Sequence, residues 1–196
     1  MTLLIIGIMV FLGVHSFSMM RGWREALIAR LGSENAFKGI YSLLALAGLV
    51  LIVMGFGHYR AAGMSAVFTP PVWGRHIAML LMLVAFIFFA ATYIPSRIRS
   101  AVQHPMITAV MLWAFAHLLA NGDLGSLVLF GGFLLWGILA RLSMGRRTRT
   151  IFAASPQIPP LSIRNDIVIV VMGTLLYAAT LIWLHPLLIG VPVVAL

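Results

Sequence analysis

Six long apolar runs separated by short polar stretches dominate the hydrophobic pattern of this chain of 196 residues. Each run approaches the length of about 20 residues with which an α-helix crosses a bilayer. None shows the alternation of a membrane β-barrel strand. The pattern predicts an all-α, polytopic membrane protein with one domain over residues 1–196. The six predicted transmembrane helices are Thr2–Met20, Ile40–Gly57, Trp73–Tyr93, Pro105–Ala120, Leu124–Leu142 and Asp166–Leu184.

Proline, glycine and polar residues mark the ends of these spans. Pro95 stops the third span, and Pro105 stands at the first turn of the fourth, where proline is tolerated. The turn Asn121-Gly-Asp123 predicts a tight hairpin between the fourth and fifth spans. The longest predicted loop is Ser143–Asn165, and His185-Pro186 is expected to end the last span.

The basic residues predict how the bundle is oriented. Eleven of the 13 Lys and Arg residues lie in or beside the loops that follow the first, third and fifth spans. Loops rich in Lys and Arg stay in the cytoplasm, so both termini are expected outside it. In particular, Arg146, Arg147 and Arg149 in the longest loop are expected to face anionic lipid on the cytoplasmic side.

The composition supports the membrane assignment and excludes some kinds of chemistry. The chain is 62% hydrophobic and 9% charged, with a net charge of +9 and no cysteine. The basic charge lies beside membrane spans, so it indicates topology and lipid contact rather than nucleic-acid binding. Without cysteine the protein has no disulfide, no thiolate metal ligand and no cysteine nucleophile.

Two of the six histidines are predicted to lie inside apolar runs. His15 and His117 are each more than two residues from a span end, whereas His58, His76, His104 and His185 lie at span ends. An ionisable side chain at membrane depth is expensive, which favours a functional role. Because no carboxylate accompanies them, the two histidines suit a bis-imidazole haem iron better than an ion pathway or a zinc site.

The neighbours of His117 are consistent with a cofactor. Ala114 and Asn121 are one helical turn away on either side, and Ala116 and Ala120 lie nearby. Small alanines would leave a bare surface for a flat ring system, and Asn121 can form a hydrogen bond at the helix end. The alternative is a histidine bonded to a carbonyl of a neighbouring helix, with alanines that serve helix packing.

The depths of the two histidines leave their pairing open. With the N-terminus outside, His15 lies about 20 Å along its helix from Met1, whereas His117 lies about 6 Å from Asn121. Two axial ligands of one iron need similar depths, which helix tilt or a protruding first turn would provide. Otherwise His15 pairs better with His104, and His117 with His76.

Several motifs resemble those of the NnrU family of bacterial membrane proteins. The resemblance covers the whole chain, and its longest motif is the stretch around His117. The motifs are His15-Ser16, His104-Pro-Met106, Trp113-Ala-Phe-Ala-His117-Leu-Leu-Ala-Asn121-Gly-Asp-Leu124, Ser126, Leu129-Phe-Gly-Gly132, Leu184-His185-Pro186 and Gly190-Val-Pro192.

This resemblance implies a cofactor and a cellular context. The NnrU family is similar to the zeta-carotene isomerase of plants and cyanobacteria, which holds haem b, and the haem-ligating histidines of that enzyme would fall on His15 and His117. The name NnrU associates the family with nitric oxide and denitrification. A location in the bacterial inner membrane, with both termini periplasmic, follows. The isomerase has a cysteine where this chain has Ala114, so a thiolate ligand switch is impossible here.

Three functions therefore stay open from the sequence. The first is a haem-b-binding membrane protein that serves nitrogen-oxide metabolism, with the bilayer, haem and a respiratory partner or lipophilic substrate as its contacts. The second is a haem-dependent isomerase of a lipophilic polyene. The third is a non-catalytic assembly partner whose histidines are structural. A Soret band in purified protein would separate the first two from the third.

Overall fold

A computed structural model describes residues 1–154 and 162–193, with side chains described for 1–144 and 162–193. Its regular secondary structure in these residues is helical, which confirms the all-α prediction. The helices are α1 (Thr2–Met19), α2 (Arg21–Leu31), α3 (Glu34–Ala61), α4 (Val72–Ala91), α5 (Arg97–Val102), α6 (Pro105–Ala120), α7 (Leu124–Ala154), α8 (Ile163–Ala179), a π-helical turn (Thr180–Leu184) and α9 (His185–Ile189).

Five of the described helical stretches are long and apolar enough to cross a membrane. They are Thr2–Met19, Glu34–Ala61, Val72–Ala91, Leu124–Met144 and Ile163–Ile189. The predicted fourth span, α6, has the expected bounds but only 16 residues. A sixth crossing, the orientation of the termini and the single domain therefore stay predictions.

Two compact units make up the chain. The first unit comprises Met1–Pro70 and Asn121–Trp136. In it Gly7 faces the backbone of Ile52, and Gly48 faces the backbone of Phe11. These contacts run in opposite directions along the chain, so α1 and α3 pack antiparallel. A Cβ atom built on Gly7 would lie 2.6 Å from the nitrogen of Ile52, so glycine is what permits this close approach.

A short backbone pairing joins the turn after α6 to the segment after α3 within the first unit. The carbonyl of Gly122 accepts from the amides of Val67 and Phe68, at 2.8 and 3.0 Å, and the amide of Leu124 donates to the carbonyl of Ser65 at 2.9 Å. Asp123 Oδ1 then accepts from the amide of Ser126 at 2.9 Å. The predicted turn thus becomes the N-terminal cap of α7.

The second unit comprises Pro71–Ala120 and Gly137–Leu196. Here α4 packs against α6, where Gly74 lies against the carbonyl of Leu119, and against α8, where Gly173 lies against the backbone of Ile87. The amide of Ile98 in α5 donates to Asp166 Oδ1 at 3.2 Å. Asp166 lies in the first turn of α8, where the helix dipole favours an anion.

The predicted second span, Ile40–Gly57, is shorter than α3 at both ends, and the predicted end of the fifth span is wrong. The predicted loop Ser143–Asn165 begins too early, because α7 continues through Arg146, Arg147 and Arg149 to Ala154. Arginine is a good helix former, so these charged residues do not end the helix. The prolines at 156, 159 and 160 lie outside the described residues.

The last helix also continues past its predicted end at His185-Pro186. It runs through α9 to Ile189 and ends at Gly190, whose φ of 76° is left-handed. Proline normally disrupts a helix because it has no amide proton and clashes with the carbonyl four residues before it. The π-helical turn Thr180–Leu184 ends two residues before Pro186, and it contains Ile182, whose carbonyl lies four residues before the proline.

Candidate functional site

His15 lies near the C-terminal end of α1 and is half-buried. Its Nδ1 lies 2.7 Å from the carbonyl oxygen of Phe11, one turn earlier. A carbonyl only accepts, so Nδ1 carries the proton, and in the neutral ring Nε2 holds the lone pair. This is the tautomer that metal-bound histidines commonly have, with the second ring nitrogen donating to a backbone carbonyl.

Three aromatic rings surround the imidazole of His15. The ring of Phe11 is 4.3 Å away between centroids, and the rings of Tyr41 and Trp136 approach edge-on at 5.4 and 6.0 Å. Trp136 Nε1 donates to Ser16 Oγ at 3.0 Å, which ties the indole to the residue after His15. The imidazole is therefore restricted in orientation by both its hydrogen bond and its neighbours.

His117 repeats this local arrangement in α6. Its Nδ1 donates to the carbonyl oxygen of Trp113 at 2.8 Å, and its ring lies 5.3 Å from the Trp113 ring. Both deep histidines thus follow an aromatic residue by four positions, donate to its carbonyl and contact its ring. The spacing Phe11-x-x-x-His15 and Trp113-x-x-x-His117 is visible in the sequence, and sequence reasoning missed it.

The alanines beside His117 are covered by protein. Ala114 and Ala116 have exposed fractions of 0% and 1%, whereas Ala120 is half-buried. The bare surface expected at Ala114 is therefore already filled in this structure. Asn121 is half-buried and immediately follows α6, as expected for a residue at the helix end.

The other histidines differ from one another more than their span-end positions suggested. His58 and His76 are exposed. His185 is half-buried, its Nδ1 donates to the carbonyl of Val191 at 2.7 Å, and it lies close enough to His117 for their charges to interact. This interaction is not predictable from the sequence alone, because 68 positions separate the two histidines.

His104 lies just before α6, where its carbonyl accepts from the amide and the hydroxyl of Thr108, both at 3.1 Å. Burial lowers the pKa of His104 below its ordinary 6.5, and the charge of Arg141 lowers it further. The structure therefore brings a histidine and an arginine together at this end of α6. Sequence reasoning gave His104 only as an alternative iron ligand.

The predicted site residues fall in both units. His15 and Asn121 belong to the first unit, and His76, His104, Ala114 and His117 belong to the second. The pairings of His15 with His117 or with His104 stay predictions. No group of three or more His, Asp or Glu side chains that could hold a metal ion occurs among the described residues.

The chemistry of the donors fits a haem iron, which needs only two axial ligands. His15 and His117 each have an Nδ1 proton donated to a backbone carbonyl, which directs the Nε2 lone pair outward from the histidine's own helix backbone. The two histidines therefore fit a haem iron by the chemistry of their donor atoms. The surface expected for the haem ring at Ala114, in contrast, is occupied by protein.

Comparison with known proteins gives one match. The family model described as "NnrU protein" matches residues 3–193, nearly the whole chain. Neither the curated proteins nor the solved structures contain a match.

Proposed function

The chain belongs to the NnrU family, and we propose that it is a haem-b-binding protein of the bacterial inner membrane, linked to nitric oxide metabolism. His15 and His117 each supply an imidazole ligand for iron. The observation that carries this proposal is the shared geometry of the two histidines, whose Nδ1 atoms lie 2.7 and 2.8 Å from carbonyl oxygens of their own helices.

The side chains around each histidine have definite roles in this proposal. The carbonyls of Phe11 and Trp113 hold the proton on Nδ1, which makes Nε2 the better ligand. The rings of Phe11, Tyr41 and Trp136 restrict the orientation of the His15 imidazole. A haem held this way supplies one-electron redox chemistry and, with one ligand released, a Lewis-acid site. A low dielectric around the ligands would change the reduction potential of the iron.

Spectroscopy of the purified protein tests the proposal. The wild-type protein should show the Soret band of a bis-histidine haem. Replacement of His117 by Ala or of His15 by Ala should remove the low-spin spectrum or strip the haem, because each removes an axial ligand. His58→Ala is the matched control, since His58 is exposed and should leave the spectrum unchanged.

The structural alternative predicts a different outcome. The carbonyls of Phe11 and Trp113 belong to the same helices as His15 and His117, and even an interhelical hydrogen bond in a membrane contributes only about 0.6 kcal/mol on average. If the two histidines only hold carbonyls, both Ala variants should insert normally, and no haem should be found in any preparation. A wild-type Soret band in His117→Ala protein would remove His117 from the site.

A further inference from the structure

Arg141 carries a buried nitrogen that no described residue satisfies. Among the residues that the structure describes, its Nη1 atom is fully buried and has no hydrogen-bond partner. A guanidinium is charged at every accessible pH, and a buried charged donor without a partner is strongly unfavourable. The residue as a whole is only half-buried, so part of it is open to a ligand from outside the protein.

Helix packing places Arg141 beside the start of α6. A Cβ atom built on Gly137 of α7 would lie 2.6 Å from Cγ of Met111 in α6, so the two helices are in close contact there. Arg141 is one turn beyond Gly137 on the same face of α7. His104 is two turns before Met111, on the same side, and the charge of Arg141 acts on it.

The acidic side chains of the chain are already engaged or lie elsewhere. The protein has four acidic residues against 13 Lys and Arg. Glu34 pairs with Arg24 and Lys38. Asp123 accepts from the amide of Ser126, and Asp166 from the amide of Ile98. Glu25 is exposed on α2, in the other unit.

We propose that Arg141 and His104 form a binding site for the phosphate of an anionic phospholipid headgroup. Arg141 is the first charged residue of α7 after its apolar run, and His104 immediately precedes the apolar helix α6. Both therefore lie at the ends of apolar runs, which is the depth of lipid phosphates. The guanidinium fork matches two phosphate oxygens, and the imidazole of His104 is a second polar group on the same side.

Lipid titration of the purified full-length protein tests this site, whether or not the protein carries haem. The protein, washed free of lipid in a neutral detergent, is titrated with phosphatidylglycerol, and bound lipid is counted by native mass spectrometry. We expect one tightly bound phosphatidylglycerol. Arg141→Gln should weaken its binding about tenfold or more, because a charge-assisted hydrogen bond is lost.

Arg164→Gln is the matched control, because it removes an exposed arginine of the same unit. It should bind phosphatidylglycerol as the wild type does. Equal weakening in both variants would mean that only general surface charge attracts the lipid, and this would overturn the site. No phosphatidylglycerol on the wild-type protein would overturn it as well.

Two further arms separate the source of the phosphate and guard against misfolding. Inorganic phosphate should fail to displace the lipid at millimolar concentration; displacement would assign the site to a free anion instead. If Arg141→Gln does not fold, Arg141→Lys keeps the charge and removes the fork. Arg141→Lys and His104→Gln should each bind the lipid more weakly than wild type, and wild-type binding in both would contradict the proposal.

Discussion

A histidine four residues after an aromatic residue is held in place before any other helix contributes. The carbonyl of the aromatic residue accepts a hydrogen bond from Nδ1, and its ring contacts the imidazole, as at Phe11–His15 and Trp113–His117. Neither feature depends on a second helix. The tautomer suited to ligation is therefore a property of the local sequence, whereas the partner ligand is a property of the fold.

The burial of Ala114 leads to the first prediction at the residue scale. Ala114→Phe should reduce stability by about 1–3 kcal/mol, because a large side chain is forced into a filled space. Thermal unfolding in detergent, with haem absent, measures this effect. Ala120→Phe, at a half-buried position of the same helix, should be tolerated better.

The sequence alone suggested a different result for Ala114→Phe, namely loss of haem with the protein otherwise intact. That outcome, with wild-type unfolding temperature, would show that the surface at Ala114 opens for the cofactor. The exposed fraction of 0% argues that the packing effect comes first.

A proline or glycine in the sequence does not by itself end a helix in this protein, because the local hydrogen bonding also decides where the helix ends. Pro105 and Asn121-Gly122 bound α6 as the sequence predicted. Pro186 does not end the last helix, because the π-helical turn before it shifts the register. In this protein, Pro186 inside the last helix is thus a weaker stop than the polar turn Asn121-Gly122 after α6.

The pairing between the turn at Gly122 and the segment after α3 gives a prediction at the scale of an element. A Cβ atom at Gly122 would overlap the carbonyl oxygen of Phe68. Gly122→Ala should therefore displace the two backbones and weaken the hydrogen bonds to Val67 and Phe68. The expected loss is about 1–3 kcal/mol, measured as a lower unfolding temperature.

Gly131→Ala is the matched control for Gly122→Ala. Nothing lies within 4 Å of a Cβ atom built on Gly131, which is in the middle of α7. Alanine is also the better helix former by about 1 kcal/mol. Gly131→Ala should leave the unfolding temperature unchanged or raise it, and a loss equal to that of Gly122→Ala would refute the steric argument.

At the scale of the whole molecule, topology is the property that the basic residues predict most directly. Reporter fusions at Arg30 and Arg147 should be cytoplasmic, and fusions at Ser65 and Leu196 should be periplasmic. Green fluorescent protein, which is bright in the cytoplasm, and alkaline phosphatase, which is active outside it, give opposite readings at each position.

The fusion at Arg147 also decides whether α6 crosses the bilayer. With 16 residues α6 is about 24 Å long, against a hydrocarbon core of about 30 Å. If α6 crosses, with local thinning of the membrane, Arg147 is cytoplasmic. If it does not, every position after α6 changes sides, and Arg147 and Leu196 exchange their predicted locations.

The sequence predicted the apolar helices well, because each is a continuous run bounded by polar or turn-forming residues, as at Met20-Arg21 and Ala120-Asn121. It missed α2 and α5, which are short and polar. It also missed the approach of His185 to His117 and of Arg141 to His104. Such contacts depend on which helices pack together, and hydrophobic periodicity within one helix carries no information on that.

The first unit has a consequence for synthesis of the protein, because it is not continuous along the chain. Ser65, Val67 and Phe68 emerge from the ribosome well before Gly122 and Leu124, with which they pair. At about 5–20 residues per second, the interval lasts roughly 3–11 seconds. During that time α4, α5 and α6 must be made and inserted, while the early segment waits with its amides bonded to water. A chain whose translation stops at Ala120 would keep the α1–α3 contact and never close this pairing.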